Sequence, residues 1–484
     1  MTHPPSPEVR PGSAAKPASL RSNAVGLLGL TVLGAVMMSP AMGIYGTWGP
    51  MTGLVGRIVP LVFLAALAIS LPNALSYVIV NREMPSAGSA FAWVTRTAGP
   101  ATGLAAGLVM VVYYVIQVVL QPVLFGLFFN DLLAALGVAT GTGTLLLGAA
   151  AVTAVVCVTT YRGIESSTRT AVVFLAVETG VLLALCATVI ATRAADHELS
   201  IAPFVPSQGS GTLSAFWQAV LLGVLSYTGF DVISTVAEES KAPRKLLPRA
   251  TFLAVVLVGL VWAGASWAFS LSEPPETVAR YTESGLTAVT PMAHDFWGWG
   301  SILIIVTALS ALTAIYTATV LGASRAVYAI AREGLLPRRL ARLHPRSRVP
   351  HHAMTAVYAV SLACGVGLLL VLRNGIDAFV WWSQAAVFFA LVVYTSVNVA
   401  NLLYFFRVAP ERRRLLPNVV LPLVGIAVNV YVIGRSFFGS LWSAGFRLGQ
   451  SIVVVAVALL VLCAGCAIAM RRRARAAGCE VPGR

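Results

Sequence analysis

The sequence predicts an all-α membrane protein of about twelve transmembrane helices. Three observations lead there. Of the 484 residues, 58% are hydrophobic and 11% are charged, whereas a soluble domain carries about a quarter charged residues. Apolar runs of about 18 residues or more, each long enough to cross a hydrocarbon core as a helix, recur along the whole chain. Two of these runs, the first and the sixth, are interrupted near their middle by proline or glycine. The runs lack the alternation of barrel strands and far exceed the roughly ten residues such a strand needs, so helices are the spanning element.

Taken in order, the first six spans are expected at residues 23–48, 57–80, 100–129, 143–161, 168–192 and 214–237. The second six are expected at 250–271, 299–328, 353–372, 376–405, 416–437 and 448–470. No stretch is left over for a soluble domain. Residues 1–22, rich in Pro, Ser and Ala and without an apolar run, read as a disordered cytoplasmic tail. The first apolar run is too long for the core of a cleaved signal peptide.

Orientation follows from the basic residues, because short loops rich in Lys and Arg stay on the cytoplasmic side. With both termini inside, about 27 of the 33 Lys and Arg fall in cytoplasmic segments. They concentrate in Lys241–Arg249, Arg332–Arg348, Arg407–Arg414 and the basic tail 471–484. The net charge of +15 is therefore explained by topology and by anionic membrane lipids, and no nucleic acid partner is implied. Five of the six cysteines sit in apolar runs, and Cys463 and Cys466 read as two small residues a turn apart rather than half a metal site, since no second ligand pair exists. Neither a metal nor a cofactor is expected.

Irregular backbone at mid-membrane depth is tolerated only where it lines a cavity or a ligand. The first span carries Ser39, Pro40, Ala41, Met42, Gly43, Ile44 and Tyr45 near its middle; Pro40 removes a donor and clashes with the preceding turn. The sixth carries Tyr227, Thr228, Gly229, Phe230 and Asp231 at comparable depth. Broken helices at matching places in two five-helix halves point to an inverted repeat that holds a small molecule at its interface. The N–H groups of one half-helix favour an anion and the freed carbonyls a cation, and a zwitterionic amino acid presents both. Either break alone also reads as a packing kink.

Three stretches resemble the amino acid, polyamine and organocation superfamily of permeases. Ser226–Ala250, SYTGFDVISTVAEESKAPRKLLPRA, is similar to that family's sixth span; Gly322–Ala353 is similar to its eighth span and following loop, and Met84–Gly107 to the loop between its second and third. The resemblance covers residues 23–470. It implies an inverted-repeat core, residues 23–192 and 193–405, with two added helices in 406–470, and alternating access driven by a proton or ion gradient or by a counter-substrate. It places substrate at Ser39, Ala41, Met42, Gly43 and Ile44 of span one and at Tyr227, Thr228, Gly229 and Phe230 of span six. Two departures stand out: Met42 is bulky for a carboxylate cradle, and Ser89 replaces a usual glycine.

Ionisable residues inside a span are functional hypotheses, since leaving an acid there costs at least about 2.5 kcal/mol. Glu178 falls in span five where some proton-coupled relatives carry a lysine. It is expected to carry a coupling proton or to pack against a neighbouring helix. Asp231 is expected to hold the broken sixth helix or to face the cavity. Glu238 and Glu239, beside Lys241, Arg244 and Lys245, are expected to form inner-gate ion pairs or a solvated loop. Ser310, Thr313 and Thr317 share one face of span eight and could complete a sodium site, or bond their own backbone. Tyr113, Tyr114, Trp381 and Trp382 read as cation-capping aromatics or as packing and interface anchors.

Other functions lack their motifs. There is no Gly-Lys dipeptide for a phosphate-binding loop, and the only His-Glu continues as HELSI rather than as a zinc-protease motif. No repeated filter-like segment suggests a channel. Amino acid transport is therefore the expected function, with a polyamine or other organic amine as the alternative substrate, or exchange as the alternative mode. Span one offers no carboxylate between Val25 and Tyr45 for a polycation.

Overall fold

The computed structural model describes residues 25–162, 164–272, 281–344, 349–372 and 375–434, with 437, 453–462, 464–466, 468–469 and 472 beyond them. The expected tail 1–22, Cys463, Cys479 and most of the basic tail 471–484 lie outside the described residues. Among the described residues the protein is helical throughout and has no strand beyond one isolated bridge, Val25 to Ser240.

The first span is three helices on one path: α1 (Leu27–Met38), α2 (Met42–Tyr45) and α3 (Trp48–Val55). Gly56, at φ +67°, turns the chain into α4 (Val59–Glu83). A short α5 (Ser89–Ala98) leads to α6 (Pro100–Ala135), α7 (Thr142–Arg162) and α8 (Ile164–Ala195). The sixth span is α9 (Leu213–Tyr227) and α10 (Val232–Thr235), followed by α11 (Pro243–Ser270). Then come α12 (Val289–Trp297), α13 (Ile302–Arg332), α14 (His351–Leu372), α15 (Gly375–Leu403) and α16 (Leu421–Ile433).

Among the described residues ten helices are long and apolar enough to cross a membrane. The helix α14 and the shorter apolar segment Val453–Cys466 occupy two more of the expected spans. The sequence reading misses α5 and α12, whose ten and nine residues are too short to register as spans. It also ends the first span early, because Trp48–Val55 continues the helix up to the turn at Gly56.

Packing follows a regular scheme. The second span, α4, lies along the seventh, α11; the third, α6, lies along the eighth, α13. The fifth, α8, packs on α13 and on α1, and the tenth, α15, packs on α6 and on α9. A buried amide cluster joins spans two, ten and eleven. Asn73 Nδ2 donates to Asn429 Oδ1 at 2.9 Å, and Asn73 Oδ1 accepts from Asn398 at 2.7 Å and from Asn429 at 2.9 Å. Ser89 takes φ +45°, a conformation that costs a side-chain-bearing residue about 1–2 kcal/mol.

At the end of the bundle away from Val25, α3 meets the turn Gly285–Thr287. A Cβ on Gly49 would stand 2.3 Å from the Gly285 carbonyl and 2.4 Å from Ala288 Cβ, whereas one on Gly53 would meet Thr282 Cβ at 3.8 Å. Backbone cannot give way as a flexible side chain can. Gly49→Ala is therefore expected to cost about 1–3 kcal/mol and to lower the thermal unfolding midpoint in detergent. Gly53→Ala on the same helix is expected to hold or raise it; equal behaviour of the two variants would refute this packing.

Candidate functional site

The two interrupted spans cross at mid-bundle. In the first, Ser39 takes φ +43° and Pro40 lacks an N–H, so the ladder between α1 and α2 is cut. Side chains take over the freed groups. Ser39 Oγ accepts from the Met42 N–H at 3.0 Å, Trp262 Nε1 donates to the Pro40 carbonyl at 2.9 Å, and the Gly43 carbonyl accepts from Thr47 Oγ1 at 2.5 Å and Ser226 Oγ at 3.0 Å. Gly43 has to be glycine, because a Cβ there would sit 2.3 Å from the Trp262 ring.

In the sixth span α9 ends at Tyr227, Thr228 is extended, and Gly229 takes φ +109°, a region only glycine enters freely. The Gly229 N–H reaches Tyr394 Oη at 3.4 Å. Phe230 is fully buried and stacks on Tyr394, with centroids 5.0 Å apart. Asp231, 1% exposed, accepts from three phenols: Tyr114 at 2.5 Å, Tyr394 at 2.9 Å and Tyr113 at 3.3 Å. Tyr113 and Tyr114 thus serve the Asp231 carboxylate in this structure.

Between the breaks lies a cavity of about 80 Å³. Of the nine residues expected to bind substrate, Met42, Gly43 and Thr228 line it. Ser39, Ala41, Ile44, Tyr227, Gly229 and Phe230 are buried behind its wall or form the breaks themselves. The rest of the lining is mostly apolar, from Met37 and Met38 of α1 to Leu312 and Ile315 of α13 and Phe379 of α15. Two amides the sequence reading passed over, Gln117 and Gln121 of α6, also line it. Their signal was present, since polar residues one turn apart in a membrane helix are seldom neutral to function, but uncharged amides stand out less than acids.

Glu178, on α8, is 2% exposed and accepts from Ser39 Oγ at 3.0 Å. Among the described residues no ion pair reaches it. It therefore touches the first break directly, through the hydroxyl that caps α2. Thr313 and Thr317 donate to the carbonyls of Leu309 and Thr313 on their own helix, both at 2.8 Å. The face of α13 turned to the cavity carries Leu312, Ile315 and Thr319; Ser310, Thr313 and Thr317 do not line it.

At the Val25 end the broken spans are latched to each other. The Val25 N–H donates to the Glu239 carbonyl and the Lys241 N–H to the Val25 carbonyl, both at 3.0 Å. Glu239 pairs with Arg325 at 2.7 Å, with side chains 2% and 5% exposed, and Glu238 pairs with Arg332 at 3.0 Å. The expected neighbours Lys241, Arg244 and Lys245 are not the partners; both arginines come from α13.

A family model described as amino acid permease matches residues 26–464. The branched-chain amino acid permease BcaP of Lactococcus lactis is 27% identical over 60% of this chain and 64% of its own length, so the match spans just under two thirds of that protein. The low-affinity putrescine importer PlaP of Escherichia coli is 24% identical over 78% of this chain and 80% of its own. Cationic amino acid transporter 5 of Arabidopsis thaliana is 24% identical over 53% of this chain and 42% of its own. With broken helices one and six around a shared cavity and a family match over nearly its whole length, this multi-pass membrane protein belongs to the amino acid permease family.

Proposed function

We propose that the chain is a secondary active transporter that moves an amino acid across the cytoplasmic membrane by alternating access, coupled to a proton. The observation that carries this reading is the meeting of both helix breaks at one cavity, with the buried Glu178 carboxyl bonded to the first break through Ser39. A repeat architecture is supported by the packing. Spans two and three lie along seven and eight, and span five contacts eight and one as span ten contacts three and six. This matches two inverted five-helix repeats, residues 23–192 and 193–405, with 406–470 appended.

The Val25 end is read as cytoplasmic, because Lys241, Arg325, Arg332 and Arg412 gather there. Both termini then lie inside. A carboxyl at Glu178 can take up a proton from one side and release it to the other as the Ser39 break shifts. The buried Glu178 carboxyl at the first break favours the proton as coupling ion. A diamine is the second reading, favoured by the putrescine importer's coverage of the chain. Among the described residues lining the cavity there is no carboxylate, which favours an uncharged side chain.

Two experiments test the reading. In proteoliposomes, an inward proton gradient is expected to drive uptake of a neutral amino acid, and Glu178→Gln to abolish the response to the gradient while leaving exchange intact. Uptake that requires the same compound preloaded inside, with or without a gradient, would refute proton coupling. The gate is tested by labelling Ser240→Cys with a hydrophilic maleimide from the cytoplasmic side. Glu239→Gln leaves Arg325 buried without its partner, which costs about 3–5 kcal/mol. Labelling is expected to speed up about tenfold or more; an unchanged rate would rule out the pair as a latch.

A further inference from the structure

The hydrogen bonds around the cavity fix which atoms remain to recognise a ligand. Every carbonyl of the first break from Ser39 to Ile44 already accepts a hydrogen bond. Ser39 accepts from the Gly43 N–H, Pro40 from Trp262, Ala41 from Ile44 and Tyr45, Met42 from Gly46, Gly43 from Thr47 and Ser226, and Ile44 from Thr47. Ala41 and Gly43 use both lone pairs and the other four carbonyls use one each, so this stretch is already supplied with donors whether or not a ligand is bound.

The two amides of α6 are arranged differently. Thr228 has one hydroxyl proton, and it goes to the Leu225 carbonyl at 2.6 Å. The Thr228 oxygen can then only accept from Gln117, whose Nε2 lies 2.9 Å away. This fixes the orientation of the amide: nitrogen toward Thr228, oxygen away from it. Gln121 is fixed likewise, with Nε2 donating to the Gln117 carbonyl at 3.3 Å. Both side chains are more than nine-tenths buried, both line the cavity, and neither Oε1 has a donor among the described residues.

From this we infer that Gln117 and Gln121 form the cation subsite of the transporter. Their two amide oxygens, which have no donor of their own, accept hydrogen bonds from a ligand ammonium. The inference rests on the transport reading above and assigns one end of its substrate. Amide oxygens carry partial charge only, so the subsite suits the single ammonium of a neutral amino acid, whose side chain would lie against the apolar wall of Met42, Leu120 and Ile315. A buried acceptor left without its donor is costly, so a ligand that lacks the ammonium is penalised.

The test is equilibrium binding to the purified full-length protein in detergent. The ligands are alanine, valine and leucine, the deaminated acid and the decarboxylated amine of each, and putrescine. Gln117→Leu and Gln121→Leu are expected to weaken amino acid and amine binding about tenfold or more and to leave binding of the deaminated acids equal or tighter, since the unpaired acceptor is gone, which also shows that the variants are folded. Gln121→Glu keeps an acceptor and adds a charge, and is expected to tighten amine and putrescine binding.

Equal loss of the acids and the amines, or no loss of either, would overturn the subsite. Selective loss of the acids would mean that the amides hold a carboxylate instead, and would overturn it too. If the unmodified protein binds amines or putrescine but no amino acid, and the leucine variants lose them, the subsite stands and the amino acid reading falls. Binding of none of these compounds would overturn both.

Discussion

A helix cut in the middle of a bilayer frees backbone groups that no lipid or bulk water can satisfy, and each unsatisfied group costs several kcal/mol. This protein makes two such cuts, and much of its polar interior is committed to them. Ser39, Thr47, Ser226 and Trp262 close the first break; Thr228, Tyr394 and Asp231 organise the second. Gly43 and Gly229 are required by the same constraint, one because Trp262 must approach the backbone and the other because φ is +109°. The cavity is the space left once these partners are in place, and its chemistry is set by which backbone groups they leave unused.

The supports come from spans five and ten. Span five presents Glu178 to the first break through Ser39, and span ten presents Tyr394 to the second through the Gly229 N–H and Asp231. An acid stands at each. Their surroundings differ, however. Asp231 accepts from three phenols, whereas Glu178 accepts from a single hydroxyl that also caps the Met42 N–H. A carboxylate with three donors is well stabilised where it is, which suits a fixed anchor. A carboxyl with one donor, itself shared with the Met42 N–H, is held by fewer contacts.

Most of the architecture was legible in the sequence, because a membrane helix needs a long apolar run and a break needs proline or glycine. Each expected span meets a helix among the described residues, although α6 runs on to Ala135 and α11 starts as early as Pro243, and both interruptions lay where Pro40 and Gly229 announced them. What stayed hidden depends on contacts between distant residues. Arg325 and Arg332, not the neighbouring Lys241 or Arg244, pair with the span-six acids across 86 and 94 positions. The helix α13 has two candidate faces, and only the fold turns Leu312, Ile315 and Thr319 rather than Thr313 and Thr317 to the cavity. Gln117 and Gln121 carry no charge to mark them in an apolar run, and Ser89 reveals only in three dimensions that it occupies a left-handed site.

The latch and the cavity share one lever. The twelve residues of α1 span about 18 Å at the helical rise, with Val25, just before its start, bonded to Glu239 and Lys241 and with Met37 and Met38, at its far end, on the cavity wall. At that far end the helix is joined to α2 through Ser39, the residue that Glu178 holds. A change in the charge of Glu178, or a ligand pressing on Met37 and Met38, therefore acts on the same rigid segment whose other end closes the bundle. Because Glu239 is clamped by Arg325 of α13, movement of that segment must either break the two backbone hydrogen bonds of Val25 or carry Glu239 with it and break a buried ion pair. One short helix thus joins the cavity wall to the contact between Val25 and Glu239, without a longer chain of contacts.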